Sequence, residues 1–143
     1  MANNVSFIYN SAVDKIVRGQ VDFDTDEFRI LLVSGAAQDD TIEKTTFDFV
    51  NDISNELAIG NGYNERKITT PTISQNGNNT EIDFTSVSWS EATIAATGAI
   101  LYAHKGTDDA ANPLVAYLNF NNLVQSSEGT FTVSITSPLT IAN

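Results

Sequence analysis

Two long apolar runs lie close together in the second half of the chain, and they predict its central structure. The runs cover residues 94–103 and 114–120, and a loop of small and polar residues joins them. In both runs the odd and the even positions are almost equally apolar, which is typical of strands buried on both faces. A helix is the alternative for the first run, but Thr93, Thr97 and Gly98 disfavour it. We therefore predict a central hairpin on which the other strands pack.

Further strands are predicted on both sides of this hairpin. Residues 28–33 are apolar on both faces. Residues 130–141 have apolar side chains at the odd positions 131, 133, 135, 139 and 141, and these alternate with polar residues. Residues 80–88 change face partway, which predicts a bulge near residues 85–86. Shorter strands are expected at residues 56–59 and 67–73, a reverse turn at residues 75–79 centred on Asn76 and Gly77, and a polar turn at residues 121–129.

Two short helices are predicted in the first half of the chain. Residues 10–19 have a capping-box pattern, Ser11 and Asp14, and end at Gly19. The apolar stripe that would dock this helix consists of Val13, Ile16 and Val17. Residues 46–54 repeat the capping spacing with Thr45 and Asp48, and their apolar residues recur at helical intervals, namely Phe49, Val50, Ile53 and Leu57.

These elements together predict one fold class. The chain is expected to be mainly β, an antiparallel β-sandwich of about seven to nine short strands with two short helices. Its 143 residues are enough for one domain with a real core, so residues 1–143 are assigned to a single domain.

Composition narrows the possible partners. A net charge of −11 with only seven Lys and Arg residues disfavours nucleic acid as a partner. There is no cysteine, so disulfides and thiolate metal sites are excluded. The first residues lack the pattern of a secretory signal, and no apolar run has the length of a membrane span, so we expect synthesis in the cytoplasm and no membrane partner.

Residue chemistry supplies no strong catalytic candidate. His104 is the single histidine, and a catalytic triad would need it as the base with Asp108 or Asp109 nearby. No nucleophile motif accompanies it, so we read His104 as a loop residue at a strand end. We assign no catalytic, cofactor-binding or metal-binding residues and expect no enzymatic activity.

Three local motifs have stronger structural than functional interpretations. The acidic run at residues 22–27 lacks the glycine and the final glutamate of an EF-hand, so it is read as a solvated turn, with a looser cation site left open. Gly60, Asn61 and Gly62 lack the context of a phosphate-binding loop and are read as a turn. Residues 78–80 match a glycosylation acceptor, which has no meaning without secretion.

Three aromatic residues leave a binding function open. Trp89, Tyr102 and Tyr117 could line a sugar-binding surface, although aromatic residues on apolar strands are more often part of the core. A carbohydrate-binding β-sandwich is therefore an alternative function of a different class.

The order of short motifs resembles a family of small virion proteins from tailed bacteriophages. These motifs are VRGQVDFDTDEFRILLVS, FDFVNDIS, GNGY, VSWSEAT, GAILYAHKG, NPLVAYLNF and GTFTVSI, and together they cover most of the chain. The match is weakest at residues 35–43 and 52–67, which are expected to determine the choice of partner.

The resemblance implies a non-enzymatic structural protein of the virion. The function that we expect from it is a capsid cement or decoration protein that binds across neighbouring major capsid subunits on the outside of the head. A tail component or the base of a head fibre is the alternative. The resemblance also implies a homo-oligomer, and a trimer is expected from the usual symmetry of capsid junctions. It supplies no catalytic residues.

Overall fold

The computed structural model describes residues 2, 3 and 5–141 of the chain, with side chains from residue 5 onward. It is mainly β, with 49% of residues in strands and 13% in helices. The strands are β1 (Ala2–Asn3), β2 (Phe7–Ile8), β3 (Glu27–Val33), β4 (Lys67–Thr69), β5 (Pro71–Asn76), β6 (Asn79–Phe84), β7 (Val87–Ala92), β8 (Ala95–His104), β9 (Leu114–Gln125), β10 (Gly129–Ile135) and β11 (Leu139–Ile141). The helices are α1 (Asn10–Val17) and α2 (Glu43–Thr46), and there are single 3-10 turns at Val50–Asp52 and Asp109–Ala111.

The strands form one large sheet and two small ones. The large sheet has the order β2-β9-β8-β3-β4 and is antiparallel throughout. The small sheets have the orders β11-β6-β5 and β1-β10-β7, and only the short β1–β10 pair is parallel. The predicted fold class, mainly β with antiparallel sheets and two short helices, is confirmed.

The large sheet is buried on both faces, as its apolar runs predict. One face packs against the two small sheets, and its core includes Phe28, Leu101 and Leu118 from the large sheet. The other face is covered by α1 and residues 47–53, and its core includes Leu31 and Tyr102. The predicted hairpin is β8 paired with β9, and it lies at the centre of this arrangement.

Three of the predicted strands are each divided between two sheets. Residues 67–73 contain the end of the large sheet, β4, and the start of β5. Residues 80–88 contain β6 and β7, so the change of face near residues 85–86 marks a passage between sheets rather than a bulge. Residues 130–141 contain β10 and β11, which also belong to different sheets. These divisions, together with the unpredicted two-residue strands β1 and β2, raise the number of strands in the described part of the chain to eleven, more than the predicted seven to nine.

Smaller errors concern turns and short strands. Residues 56–59 form no strand, and Glu56 makes only an isolated bridge to Val33. The turn between β5 and β6 is centred on Gly77 and Asn78, one residue later than predicted, and Gly77 takes the positive φ of 61° at its first central position. The predicted turn at residues 121–129 begins later, because β9 continues to Gln125.

The first helix is present, but it docks through a different face from the predicted one. Val13 and Val17 are 51% and 83% exposed, whereas Ala12 and Lys15 are buried. Lys15 pairs with Asp48 and its ammonium lies 4.6 Å from the centre of the Phe49 ring, so a cation–π contact and an ion pair add to the apolar packing of Ala12. Of the predicted stripe, only Ile16 packs, partly buried, against the core.

The ends of this helix also differ in part from the prediction. No side chain caps its N-terminus, and the Ser11 hydroxyl instead donates a hydrogen bond to the Phe47 carbonyl at 3.0 Å. Gly19 follows the helix with φ 73°, so the predicted stop is confirmed.

The predicted second helix at residues 46–54 is wrong. A single turn of helix, α2, ends at Thr46, and Phe49 is in extended conformation and bridges to Pro113. The Asp52 carboxylate accepts hydrogen bonds from the backbone N–H groups of Asp48 and Phe49, which bends the chain into a tight turn. Tertiary pairing with the end of the central hairpin therefore overrides the helical spacing of the apolar residues.

Gly98 marks the closest backbone approach inside the central hairpin. A Cβ atom on Gly98 would lie 2.8 Å from the Leu118 carbonyl oxygen and 3.0 Å from Cε1 of Tyr117. Neither neighbour can move freely, because both belong to β9 and are fully buried.

We predict that Gly98→Ala lowers the free energy of unfolding by about 1–3 kcal/mol, the usual result of overpacking a core. Gly106→Ala is the matched control, since its Cβ would meet only Ala111 Cβ at 3.6 Å, an ordinary contact. Urea unfolding followed by circular dichroism measures both variants. Equal stability of the two would contradict the close packing at Gly98.

Candidate functional site

An ion-pair network joins the loop at the tip of the central hairpin to the rim of the large sheet. Arg66 donates hydrogen bonds to both carboxylate oxygens of Glu56, at 2.7 and 2.9 Å. It also donates to both oxygens of Asp109, at 2.7 and 3.1 Å. The guanidinium is thus held by two carboxylates from different loops, a bidentate geometry that fixes orientation as well as charge.

Buried tyrosines support this network from below. The guanidinium carbon of Arg66 lies 5.4 Å from the centre of the Tyr102 ring. The Tyr63 hydroxyl donates to Glu56 at 2.7 Å and accepts from the Leu32 backbone N–H at 3.2 Å. The network is therefore anchored to β3 and β8, the two strands at the middle of the sheet.

Charge and burial shift several pKa values in this network. The hydrogen bonds from Arg66 hold the pKa of Asp109 below its usual value, and the two carboxylates raise the pKa of Arg66. Burial raises the pKa of the Tyr63 and Tyr102 hydroxyls, so both remain protonated.

The tip loop, residues 105–112, is also fixed by its own backbone contacts. Asn112 is buried, and its side-chain oxygen accepts from the N–H groups of Lys105 and Gly106 at 2.8 and 3.0 Å. Asp108 accepts from the Ala110 N–H at 3.0 Å and so caps the 3-10 turn. The loop of small and polar residues that joins the two apolar runs is therefore a structured platform.

A cleft of about 580 Å³ lies beside this platform. Its lining residues are mostly polar or charged and include Arg29, Glu56, Arg66, Tyr102, His104 and Asp109. Ile59 contributes an exposed apolar side chain at the margin. Since the cations in the cleft already pair with carboxylates of the chain, the cleft offers no free positive charge to an anionic ligand.

His104 lies in this cleft without the partners that a catalytic base needs. Its Nδ1 atom is buried and has no hydrogen-bond partner in the described part of the chain. Asp109 is engaged by Arg66, and Asp108 caps the 3-10 turn, so neither candidate acid orients the imidazole. The triad considered from the sequence is therefore not assembled.

The acidic residues at 22–27 make a hydrogen-bonded turn. Asp26 accepts from the Asp22 N–H at 2.8 Å, and Asp22 accepts from the Asp24 N–H at 2.9 Å. Asp26 also pairs with Lys105 at 2.8 Å, which ties this turn to the tip loop. Within residues 5–141 no three His, Asp or Glu side chains come together as metal ligands, so the looser cation site finds no support.

The three aromatic candidates for a sugar-binding surface belong to the core. Trp89, Tyr102 and Tyr117 are at most 1% exposed, and the Trp89 indole N–H donates to the Glu65 carbonyl at 2.8 Å. The core interpretation is confirmed for all three, and none offers a face on which a sugar ring could stack.

The glycine motif at residues 60–62 is a turn, as predicted. Gly60 and Tyr63 exchange backbone hydrogen bonds at 3.0 Å, and Asn61 accepts from the Thr93 N–H at 2.8 Å. Gly62 has φ 93° and packs directly on Ala92, where a Cβ would lie 2.5 Å from the Ala92 Cα. The close packing of this turn on Ala92 therefore holds the segment that carries Arg66 against the sheet.

Most of the basic side chains of the protein form ion pairs within the chain. Six of the seven basic residues form ion pairs with carboxylates of the same chain, namely Lys15, Arg18, Arg29, Arg66, Lys67 and Lys105. The exposed charge is consequently dominated by carboxylates. A nucleic acid would meet this surface with like charge.

Sequence reasoning missed Glu56, Arg66 and Asn112, which hold the tip loop in place. Arg66 follows the glycine turn, and Asn112 precedes a proline, so both stand in segments that were read only as loops. No spacing in the sequence connects Asp109 with Glu56 and Arg66, because Asp109 follows Arg66 by 43 residues. The network forms only when the tip loop meets the segment between Val50–Asp52 and β4, which carries both Glu56 and Arg66.

The comparisons with known proteins found no matching family model, no similar curated protein and no similar solved structure. Among the described residues, no helix has the length and hydrophobicity required to cross a membrane.

Removing the Arg66 side chain tests its role in holding the tip loop. We expect Arg66→Met to lower the free energy of unfolding by roughly 1–3 kcal/mol, because Glu56 and Asp109 lose charged hydrogen bonds at a half-buried site. Arg18→Met is the control, because the Arg18–Asp14 pair is exposed and worth about 0.2–1 kcal/mol. Chemical denaturation gives both values, and equal losses would show that Arg66 does not hold the loop.

The lowered pKa of Asp109 makes a second prediction about acid stability. A carboxyl with a lowered pKa in the folded state stabilises the fold above its ordinary pKa of 3.8, and this contribution is lost as the pH falls through the folded value. The stability gap between the natural protein and Asp109→Asn should therefore be largest near neutral pH and close below pH 3.8. Denaturant unfolding across this range measures the gap. A gap that is independent of pH would contradict the charged interaction.

Proposed function

We propose that the protein is a non-enzymatic structural protein of a bacteriophage virion, and specifically a capsid cement protein. In this role it binds across neighbouring major capsid subunits at the head surface and stabilises the shell. The proposal starts from the order of motifs that resembles small phage virion proteins.

The observation that carries the proposal is how the chain uses its reactive groups. His104 has no orienting acid, Arg66 is saturated by two carboxylates, and the large aromatic side chains are buried. In many proteins such groups form an active site or a ligand pocket. In this protein they stabilise the scaffold or its tip loop. What remains for a partner is a rigid frame with structured loops and strand edges, and these features suit a protein that works by covering a junction.

The physical requirements of a cement protein agree with this frame. Each contact can be weak, because many copies on a symmetric lattice act together. Rigidity reduces the conformational entropy that is lost on binding, and the fixed tip loop and the doubly buried sheet provide it. A trimer at the capsid junctions and the segments 35–43 and 52–67 as partner-selecting loops remain part of the proposal.

Particles that lack this protein provide the test. Purified protein should bind such heads and raise the temperature at which they release their DNA, whereas isolated tails should bind none. Sedimentation of the mixture measures binding, and DNA release during heating measures stabilisation. Heads that bind no protein, or that are equally stable with and without it, would remove the proposal, and binding to tails alone would favour the tail or fibre-base alternative.

The variant His104→Ala separates a structural from a chemical role. If the protein acts only by binding, this variant should bind and stabilise heads like the natural protein, provided that its circular dichroism spectrum is unchanged. Normal binding with lost stabilisation would instead indicate chemistry at the single histidine.

A further inference from the structure

Strand β5 is an edge strand with a composition that is unusual for this protein. It lies at the end of the β11-β6-β5 sheet, and in the described part of the chain only β6 pairs with it. Its sequence, PTISQN, has no charged residue, although the chain has a net charge of −11. Residues 72–76 are all exposed. The backbone of β5 is therefore accessible along one side.

The usual protections of an edge strand are missing from β5. Proteins prevent edge-to-edge pairing with charged side chains, bulges or a proline within the strand. The β5–β6 register runs without a shift from Pro71 to Asn76, and Pro71 stands at the first position of the strand. Nothing in the strand itself opposes the addition of another strand.

The register determines which backbone groups face outward. The turn between Asn76 and Asn79 contains two residues, so this pair exchanges both backbone hydrogen bonds. Hydrogen-bonded and non-hydrogen-bonded residue pairs then alternate along the two strands, so the backbone groups of Thr72, Ser74 and Asn76 form hydrogen bonds with β6. The N–H and C=O groups of Ile73 and Gln75 consequently point away from β6, toward the open side.

We propose that the partner of this edge is a second copy of the same chain, paired through β5 in antiparallel orientation. A two-fold axis passes between Ser74 and its symmetry mate, so that Ile73 of each copy faces Gln75 of the other. Each of the two Ile73–Gln75 pairs exchanges two backbone hydrogen bonds. The β11-β6-β5 sheets of the two copies thereby become one continuous six-stranded sheet.

The register centred on Ser74 is the one that the sequence of β5 fits best. A register centred on Ile73 would place Pro71 opposite Gln75, where the missing proline N–H would leave a bond unmade on each side. With the axis at Ser74, Ile73 becomes a diagonal neighbour of the other Ile73 on the same face. Ile73 is 42% exposed in the single chain, so pairing also covers an apolar side chain.

Charge favours a second copy at this edge in particular. Two molecules of net charge −11 repel each other, and they can approach most closely where carboxylates are absent. The acidic residues of this sheet, Glu81 and Asp83, stand on β6, one strand spacing of about 4.8 Å further from the axis. The Glu81 carboxylate accepts a hydrogen bond from the Asn76 side-chain amide at 3.0 Å, so it is bound within its own copy. A basic partner would gain nothing from an uncharged strand, whereas an identical polar strand matches it group for group.

The size of this contact sets its strength. One pair of six-residue strands covers less than the roughly 1,000 Å² expected of a stable interface, so the dimer is weak in dilute solution. It gains strength where many copies are held close together. The pairing does not depend on attachment to a capsid, and it can be tested with the purified protein alone.

Disulfide trapping tests the pairing, because the natural chain has no cysteine. In Ser74→Cys the two cysteines face each other in a non-hydrogen-bonded pair, with Cα atoms about 4.5 Å apart, which is within disulfide range. Thr72→Cys is the matched control, since it is equally exposed on the same face but lies four residues out of register, about 13 Å from its mate. We expect Ser74→Cys to form the disulfide dimer at least about tenfold faster under mild oxidation.

Gln75→Pro, added to Ser74→Cys, removes an outward N–H without touching the bonds to β6. It deletes two of the four hydrogen bonds between the copies and should slow disulfide formation by about tenfold or more. Thermal unfolding of the double variant checks that the fold is kept. Equal rates for Ser74→Cys and Thr72→Cys, or a folded Gln75→Pro variant that crosslinks at the unchanged rate, would overturn the proposal.

Discussion

The structure depends on a central sheet that is buried on both faces. Because β8 and β9 are covered on both sides, each side chain on them must be apolar or must carry its polar atom to a partner at the margin. Tyr102 on β8 and Tyr117 on β9 have buried rings, and their hydroxyls accept hydrogen bonds from Arg66 and from the Gln38 N–H. The other two tyrosines, which pack against this sheet, follow the same rule: Tyr9 donates to Gln38 and Tyr63 donates to Glu56. The polar networks at the rim are a consequence of the double burial.

The parts of the fold that the sequence predicted are those determined by local pattern. Period-two alternation and apolar runs identify the central hairpin and β3, since burial on both faces leaves no other composition possible. Assignment of strands to sheets was not predictable in the same way. The break near residues 85–86 changes the face of the chain as a bulge would, and only the contacts of β6 and β7 distinguish the two cases.

The helical errors have a common cause in tertiary contacts that the pattern cannot contain. Lys15 is buried because Asp48 and Phe49 receive it, whereas Val13 and Val17 of the predicted apolar stripe face solvent. Phe49 pairs with Pro113, more than sixty residues away, and this pairing replaces the expected helix. The tip-loop network was equally invisible, since Asp109 lies more than forty residues along the chain from Glu56 and Arg66 and meets them only in the fold. The segment that carries Arg66 is held by the turn at Gly62, which packs on Ala92, and by the hydrogen bond from the Trp89 indole to the Glu65 carbonyl.

The internal use of cations has a consequence for assembly. Ion pairs within the chain neutralise most of its basic residues, so the remaining surface charge is largely negative and opposes contact between copies. Contacts between copies must then be made where charge is absent and where recognition is carried by backbone hydrogen bonds. Strand β5 is such a place, with exposed residues and no charge. In the dimer that we propose, acidity and the uncharged edge act together: the first disfavours unspecific association of the copies, and the second provides the strand through which they pair.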